Sequence, residues 1–238
     1  MYRKLALPAL AIVILVGGGY VLYTYFWARR PAALRAVQVI AWLNDPASHP
    51  EWTQTALSHC NNAPFAFPTT GVVGFLWDDT MQFGHRHQGI DIFSGTDIGV
   101  SRVYAVYPGY LTRLAGWKSA VIERVPDDPL QPGRQIWVYY AHMADAKGNS
   151  FISSDFPPGT SEKQIDTGTF LGFTGDYSGD PGNPVGVHLH LSIDKDDNGH
   201  FTNELDINNT YDPSPYFGLA LNADLNRDHI PTCAPAGP

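Results

Sequence analysis

The sequence predicts a mainly β domain behind an apolar N-terminal segment, and three features carry that expectation. Gly (23) and Pro (19) are both abundant beside 13% aromatics, a composition that favours many turns and short strands. From about residue 65 to 218 the chain is a succession of short apolar runs punctuated by Gly, Pro, Asp and Asn. No helical periodicity is sustained there over three turns. At 238 residues, with 44% hydrophobic and 16% charged side chains, the chain suits one domain with appendages and is too apolar for disorder.

Taken in order, residues 1–4 are a short basic start, and 5–27 form a run without charge. As a helix that run would be about 35 Å long, enough to cross a hydrocarbon core of roughly 30 Å. Tyr20, Tyr23, Tyr25 and Trp27 gather at its far end, where an aromatic belt would lie. An uncleaved transmembrane anchor is the expectation; a cleaved signal peptide is the alternative reading of Arg3 and Lys4 ahead of an apolar stretch. Residues 28–59 read as a stalk with a short helix over 31–44: Pro31 suits a first turn, and Leu34, Val37, Ile40 and Ala41 fall near helical spacing. The domain proper spans 60–218. Within it Val103–Val106, Ala120–Val125, Ile136–Met143, Phe170–Phe173 and Val187–Ile193 read as strands. A tail, 219–238, is expected to pack back only through Cys233.

The net charge of −8 hides an asymmetry. Residues 1–35 hold five bases and no acid, so ten bases face all 23 acids in the rest of the chain. That surplus repels phosphate backbones and argues against nucleic acid as a partner. The two cysteines, Cys60 and Cys233, bracket the domain. A bridge between them would place the domain outside the cytosol; two separate buried thiols are the alternative.

Five of the nine histidines stand in informative contexts. In Val187-His188-Leu189-His190-Leu191-Ser192-Ile193, strand alternation puts Val187, Leu189, Leu191 and Ile193 on one face and His188, His190 and Ser192 on the other. Two imidazoles side by side can serve one site. In His87-Gln88-Gly89-Ile90-Asp91 an imidazole and a carboxylate four residues apart can turn toward one metal, and Zn²⁺ accepts both donor types. In Trp137–Met143, Val138, Tyr140 and His142 share a face opposite Trp137, Tyr139, Ala141 and Met143, so a further histidine points away from an apolar row. Each pattern alone also fits an ordinary turn or strand surface.

Together, His-x3-Asp, Tyr-Ala-His and His-x-His in that order resemble the lysostaphin-type (LytM-like) zinc metalloendopeptidases. The likeness continues through Phe83-Gly84, Arg86–Ile92, Gly95-Thr96, Val103–Val106, Gly109–Leu111, Asp166–Gly175 and Asp212-Pro213-Ser214-Pro215-Tyr216, covering about 65–218. The resemblance implies an antiparallel β-sheet bent into a groove, of the duplicated hybrid motif type. It implies zinc held by His87, Asp91 and His190, with His142 and His188 as catalytic histidines on the open side of the metal. Three protein ligands leave a coordination position for activating water, and an unligated imidazole can take its proton. Hydrolysis of peptide bonds in peptidoglycan stems or cross-bridges is the implied activity, by an envelope protein held to the membrane through the N-terminal helix. The alternative is a non-catalytic envelope regulator that binds and activates a wall hydrolase through the same groove.

Smaller features complete the reading. His85 forms a second His-x-His with His87 and is expected in the groove or as a structural residue rather than on the metal. The stretch Ala144–Gly159 is expected to form a groove wall. Asp194–Gly199 begins like a calcium loop, but Leu205 stands where the closing Glu belongs, so a hairpin turn is expected. Asp224-Leu225-Asn226-Arg227-Asp228 also spaces oxygen donors without completing a calcium motif.

Overall fold

The computed structural model describes residues 19, 23, 31–80 and 85–233. Apart from Gly19 and Tyr23, both helical, the expected anchor over 5–27 lies outside the described residues, as do Phe83 and Gly84. Among the described residues no helix is long and apolar enough to cross a membrane.

The chain folds mainly as antiparallel sheet. Its strands are β1 (Val72–Phe75), β2 (Ile90–Phe93), β3 (Arg102–Tyr104), β4 (Gly109–Thr112), β5 (Val121–Val125), β6 (Ile136–Ala141), β7 (Lys163–Ile165), β8 (Phe170–Phe173), β9 (Leu189–Asp197) and β10 (His200–Phe201). The main sheet runs β1-β2-β9-β6-β5-β4-β7, with β10 turning back onto β9, and β3 pairs with β8 in a separate ribbon. The turn between β9 and β10 uses Asn198 and Gly199, both at positive φ, so Asp194–Gly199 is hairpin, as its sequence suggests. Five strands overlap apolar runs legible in the sequence, although β6 ends at Ala141 rather than Met143 and β9 begins at Leu189, leaving Val187 and His188 before it. β1, β2, β4, β7 and β10 are short, and several owe their pairing to neighbours rather than to pattern.

The two longest strands, β6 and β9, lie side by side at the centre and split by alternation. Ile136, Val138, Tyr140, Leu189, Leu191 and Ile193 are fully buried and form the core with Ile90, Ile92, Phe65 and Phe217. The opposite face of β2, β9 and β6 carries Asp91, His190, Tyr139 and Ala141 and floors a groove.

Two flanking segments depart from expectation. A helix, α1, occupies 31–44, but it does not stand off as a stalk. Ala32, Arg35, Val39 and Trp42 are buried against the domain, with Val39 and Trp42 packing on Val72 and Ile230. Leu34, Val37, Ile40 and Leu43 are the exposed side, so the apolar residues with the most obvious spacing are not the ones the domain covers. The tail packs far more widely than through Cys233 alone. Leu219 and Leu221 join the main core, after a short helix α2 (Ser214–Phe217), and Trp77 bridges to Asn222. A Cys60–Cys233 disulfide ties the tail to the start of the domain, across a sequence separation of 173.

Candidate metal centre

Register places Asp91 on β2 directly opposite His190 on β9. His87 reaches the same point from the loop before β2. Its amide donates to the Asp79 carbonyl and its carbonyl accepts from the Asp78 amide, so the backbone is held on both sides. Gly89 lets this loop close on β9, because a Cβ there would lie 2.1 Å from the Leu191 carbonyl oxygen.

The three side chains converge. His87 Nε2 is 3.1 Å from Asp91 Oδ1 and 3.2 Å from His190 Nδ1, and His190 Nδ1 is 2.9 Å from Asp91 Oδ1. Among the described residues this is the one group of three or more His, Cys, Asp or Glu with the geometry for a metal ion. Its edges lie close to the ligand–ligand spacing of about 3.3 Å that a tetrahedral site with bonds near 2.0–2.1 Å requires. The donors suit zinc: two imidazole nitrogens and a carboxylate oxygen. His87 Nδ1–H donates to the Leu76 carbonyl at 2.9 Å, which leaves Nε2 facing the cluster. His190 turns its Nε2 toward Glu204 Oε2, 3.8 Å away, and both atoms are buried without a hydrogen-bond partner among the described residues. The far nitrogen of His87 is thus fixed by a hydrogen bond, whereas that of His190 has Glu204 near it but is not bonded to it.

Charge follows from the same packing. Burial works against ionisation of Asp91, yet His87, His188 and His190 outweigh it and hold the carboxyl well below its ordinary range. For His87 burial likewise opposes charge, but the Asp91 carboxylate and its hydrogen bond raise the imidazole to about 9. Behind His190, Asp194 is pushed up to about 8 by burial, against the Ser192 hydroxyl that donates to it.

His142 and His188 stand beside this cluster, their ring centroids 4.5 Å apart. Each is oriented by a carbonyl: His142 Nδ1 lies 2.7 Å from the Tyr177 oxygen and His188 Nδ1 2.5 Å from the Gly186 oxygen. With Nδ1 protonated in that way, Nε2 of each ring is left with a lone pair; that of His188 is 3.6 Å from Asp91 Oδ1. Burial and then the neighbouring His188 and His190 lower His142 to about 3, so it is neutral at physiological pH. Burial lowers His188 too.

The route by which His142 arrives differs from simple alternation. Val138 and Tyr140 face the core, so a strand continued through His142 would bury its ring there. Instead β6 ends at Ala141 and His142 adopts φ 67°, a left-handed conformation that turns the ring into the groove. Sequence periodicity placed His142 with Val138 and Tyr140, and the backbone reversal corrects that.

The groove is a cavity of about 550 Å³. Phe93, stacked on His188, and the Tyr177–Gly186 loop wall it beside His142 and His188; Gln88, Glu204 and Leu205 line it beside the cluster. His85 lines the cavity and is no part of the cluster. The stretch Ala144–Gly159 does not line it; Ile152 and Phe156 from that stretch are core residues, and the wall comes from Tyr177–Gly186. Glu204 and the orienting carbonyls of Leu76, Tyr177 and Gly186 had no legible signal, since a carbonyl has no residue type and Glu204 sits in no motif.

No protein-family model and no curated protein matches this chain. It is similar to solved structures of the antimicrobial peptidase lysostaphin from Staphylococcus simulans (17% identity, TM-score 0.39, 69% of this chain and 55% of that one). It is also similar to the catalytic domain of the prophage-encoded M23 protein EnpA from Enterococcus faecalis, in a mutant form (21%, 0.38, 62% and 95%). A third likeness is to lytM from Ruminococcus gnavus (21%, 0.37, 60% and 49%). The matched region thus spans about half of the lysostaphin chain. At these values the likeness is one of chain trace, and the functional reading stands on this chain's own residues.

Proposed function

We propose that this protein is a zinc-dependent endopeptidase that hydrolyses peptide bonds in peptidoglycan stems or cross-bridges. The observation that carries the reading is the convergence of His87 Nε2, Asp91 Oδ1 and His190 Nδ1 within about 3 Å of one another, beside two imidazoles whose Nδ1 atoms are tied to carbonyls. His87, Asp91 and His190 would hold the ion. Bound there, zinc would supply Lewis acidity toward a peptide carbonyl and make water nucleophilic at neutral pH.

The protein's own groups do the rest. His142 or His188, neutral and with Nε2 open to the groove, accepts the proton that attacking water must lose. The other imidazole donates to the developing oxyanion or returns a proton to the leaving amine. Phe93 fixes the His188 ring by stacking at 5.2 Å between centroids, so that imidazole need not be ordered during reaction. The open groove admits an extended peptide across the sheet face, with the scissile bond over the cluster.

Peptidoglycan as substrate follows from the motif resemblance in the sequence. A location in the cell envelope agrees with the Cys60–Cys233 disulfide, a bond that persists in oxidising compartments. The N-terminal apolar run is proposed to anchor the chain there. The test is digestion of purified peptidoglycan with and without a zinc chelator, reading released fragments by mass spectrometry. Chelator-sensitive cleavage of peptide bonds supports the reading, and an intact wall in the presence of stoichiometric zinc opposes it.

A further inference from the structure

Arg35 is fully buried on the inner face of α1, far from the groove in sequence and used by none of the chemistry above. Four of its five guanidinium N–H donors are taken by groups from three separate segments. It pairs with Asp79 Oδ1, donates from Nε to the Gly74 carbonyl at 3.3 Å, and donates from Nη1 to the carbonyls of Asn226, at 3.0 Å, and Arg227. Asp79 is itself buried, and its other oxygen accepts from the Leu76 amide at 2.7 Å.

That carboxylate closes the turn Leu76–Asp79, and the turn is what holds His87. The Leu76 carbonyl receives His87 Nδ1, and the Asp79 carbonyl receives the His87 amide at 2.8 Å. Two links therefore separate Arg35 from the imidazole: guanidinium to carboxylate, and turn to ring. A buried ion pair is poor value as a stabiliser, because desolvating both charges cancels most of their attraction. A well-packed apolar pair would serve stability as well. What an apolar pair cannot do is fix the turn's carbonyls in direction.

We infer that Arg35 is a positioning residue for the metal centre: through Asp79 it sets the turn that orients His87, so metal affinity depends on the N-terminal helix. The functional unit then begins at α1, not at Cys60. The inference rests on the metal-centre reading, and the test separates the two.

The full chain is compared with Arg35→Met and with Val39→Ala, a change on the same helix face that removes packing on Trp42 and Val72 but leaves the ion pair. Two quantities are read: Zn²⁺ affinity by chelator competition, and hydrogen exchange of the His87 amide in metal-free protein. Arg35→Met is expected to weaken zinc about 10–100-fold, the range for groups that orient metal-binding imidazoles, and to speed His87 amide exchange. Val39→Ala is expected to lower the melting temperature while leaving both readouts near wild type. If Arg35→Met does not fold, Asp79→Asn replaces it, since Asn still accepts from the Leu76 amide but loses the ion pair. Wild-type zinc affinity and wild-type exchange in a folded Arg35 or Asp79 variant overturn the inference. Equal losses in Val39→Ala also overturn it, because they reduce the effect to general destabilisation. If the wild-type chain binds no zinc, the metal reading fails, and the exchange comparison alone decides whether Arg35 positions His87.

Discussion

Zinc binding should release close to one proton at pH 7, and His87 is its source. Burial alone would lower the His87 pKa, but the Asp91 carboxylate reverses that and raises it to about 9, with the proton on Nε2, the atom 3.1 Å from Asp91 Oδ1. At pH 7 such a group is almost wholly protonated, and freeing its lone pair costs on the order of 3 kcal/mol at that pH. Apparent zinc affinity should therefore rise about tenfold per pH unit between 6 and 8 and level off near 9. The sign in the absence of metal is the opposite. A raised imidazole pKa contributes stability that is fully present below about 6.5 and lost as pH rises through about 9. Calorimetric zinc titrations in buffers of different ionisation heat count the protons directly, and a companion melting series in chelator follows the stability. A proton count near one with destabilisation toward pH 9 is expected. Tight binding with no proton release would refute the view that the His87–Asp91 pair is the metal-free form of the ligand set.

The other expectations concern single residues. His190→Ala should abolish zinc binding in an equilibrium titration, whereas His188→Ala should bind zinc like wild type and lower kcat about 10²–10⁴-fold; wild-type turnover in His188→Ala would refute its assigned role. Gly89→Ala drives a methyl against the Leu191 carbonyl, and should cost about 1–3 kcal/mol in urea unfolding and weaken zinc, because β2 must move from β9. Reducing the Cys60–Cys233 bond, with its sequence separation of 173, frees a long loop in the unfolded chain. Chain entropy sets an upper figure of about 5 kcal/mol for that loss, and an unchanged denaturation midpoint in reductant would contradict it.

How much of this was legible depended on whether a residue's role lay in its type or in its surroundings. Leu189, Leu191 and Ile193 alternate cleanly with His188 and His190, and the structure keeps that alternation, because β9 is flanked by β2 and β6 and one face must be core. The convergence of His87 with His190 needed the antiparallel register of β2 and β9, a long-range pairing that no local pattern encodes. His142 shows the limit of periodicity: one residue at positive φ inverts the face, and nothing in Tyr-Ala-His announces it. The extent of α1 over 31–44 was legible, but which of its faces is buried was not, for a related reason. Leu34, Val37 and Ile40 carry the obvious apolar spacing, yet the buried side is set by Arg35 finding Asp79 and by Trp42 finding Ile230. An arginine on the buried face reads as polar from sequence, and only its partner 44 residues away makes it a core residue.

The central claim is that this groove cuts peptide bonds with zinc. Its most direct measurement is incubation of the zinc-loaded protein with purified peptidoglycan, with a chelator-treated sample alongside and fragments identified by mass spectrometry. Peptide-cleaved fragments that vanish with chelator and return on adding zinc are the predicted result. Stoichiometric zinc at His87, Asp91 and His190 with no peptide bond cut in any wall type would contradict it.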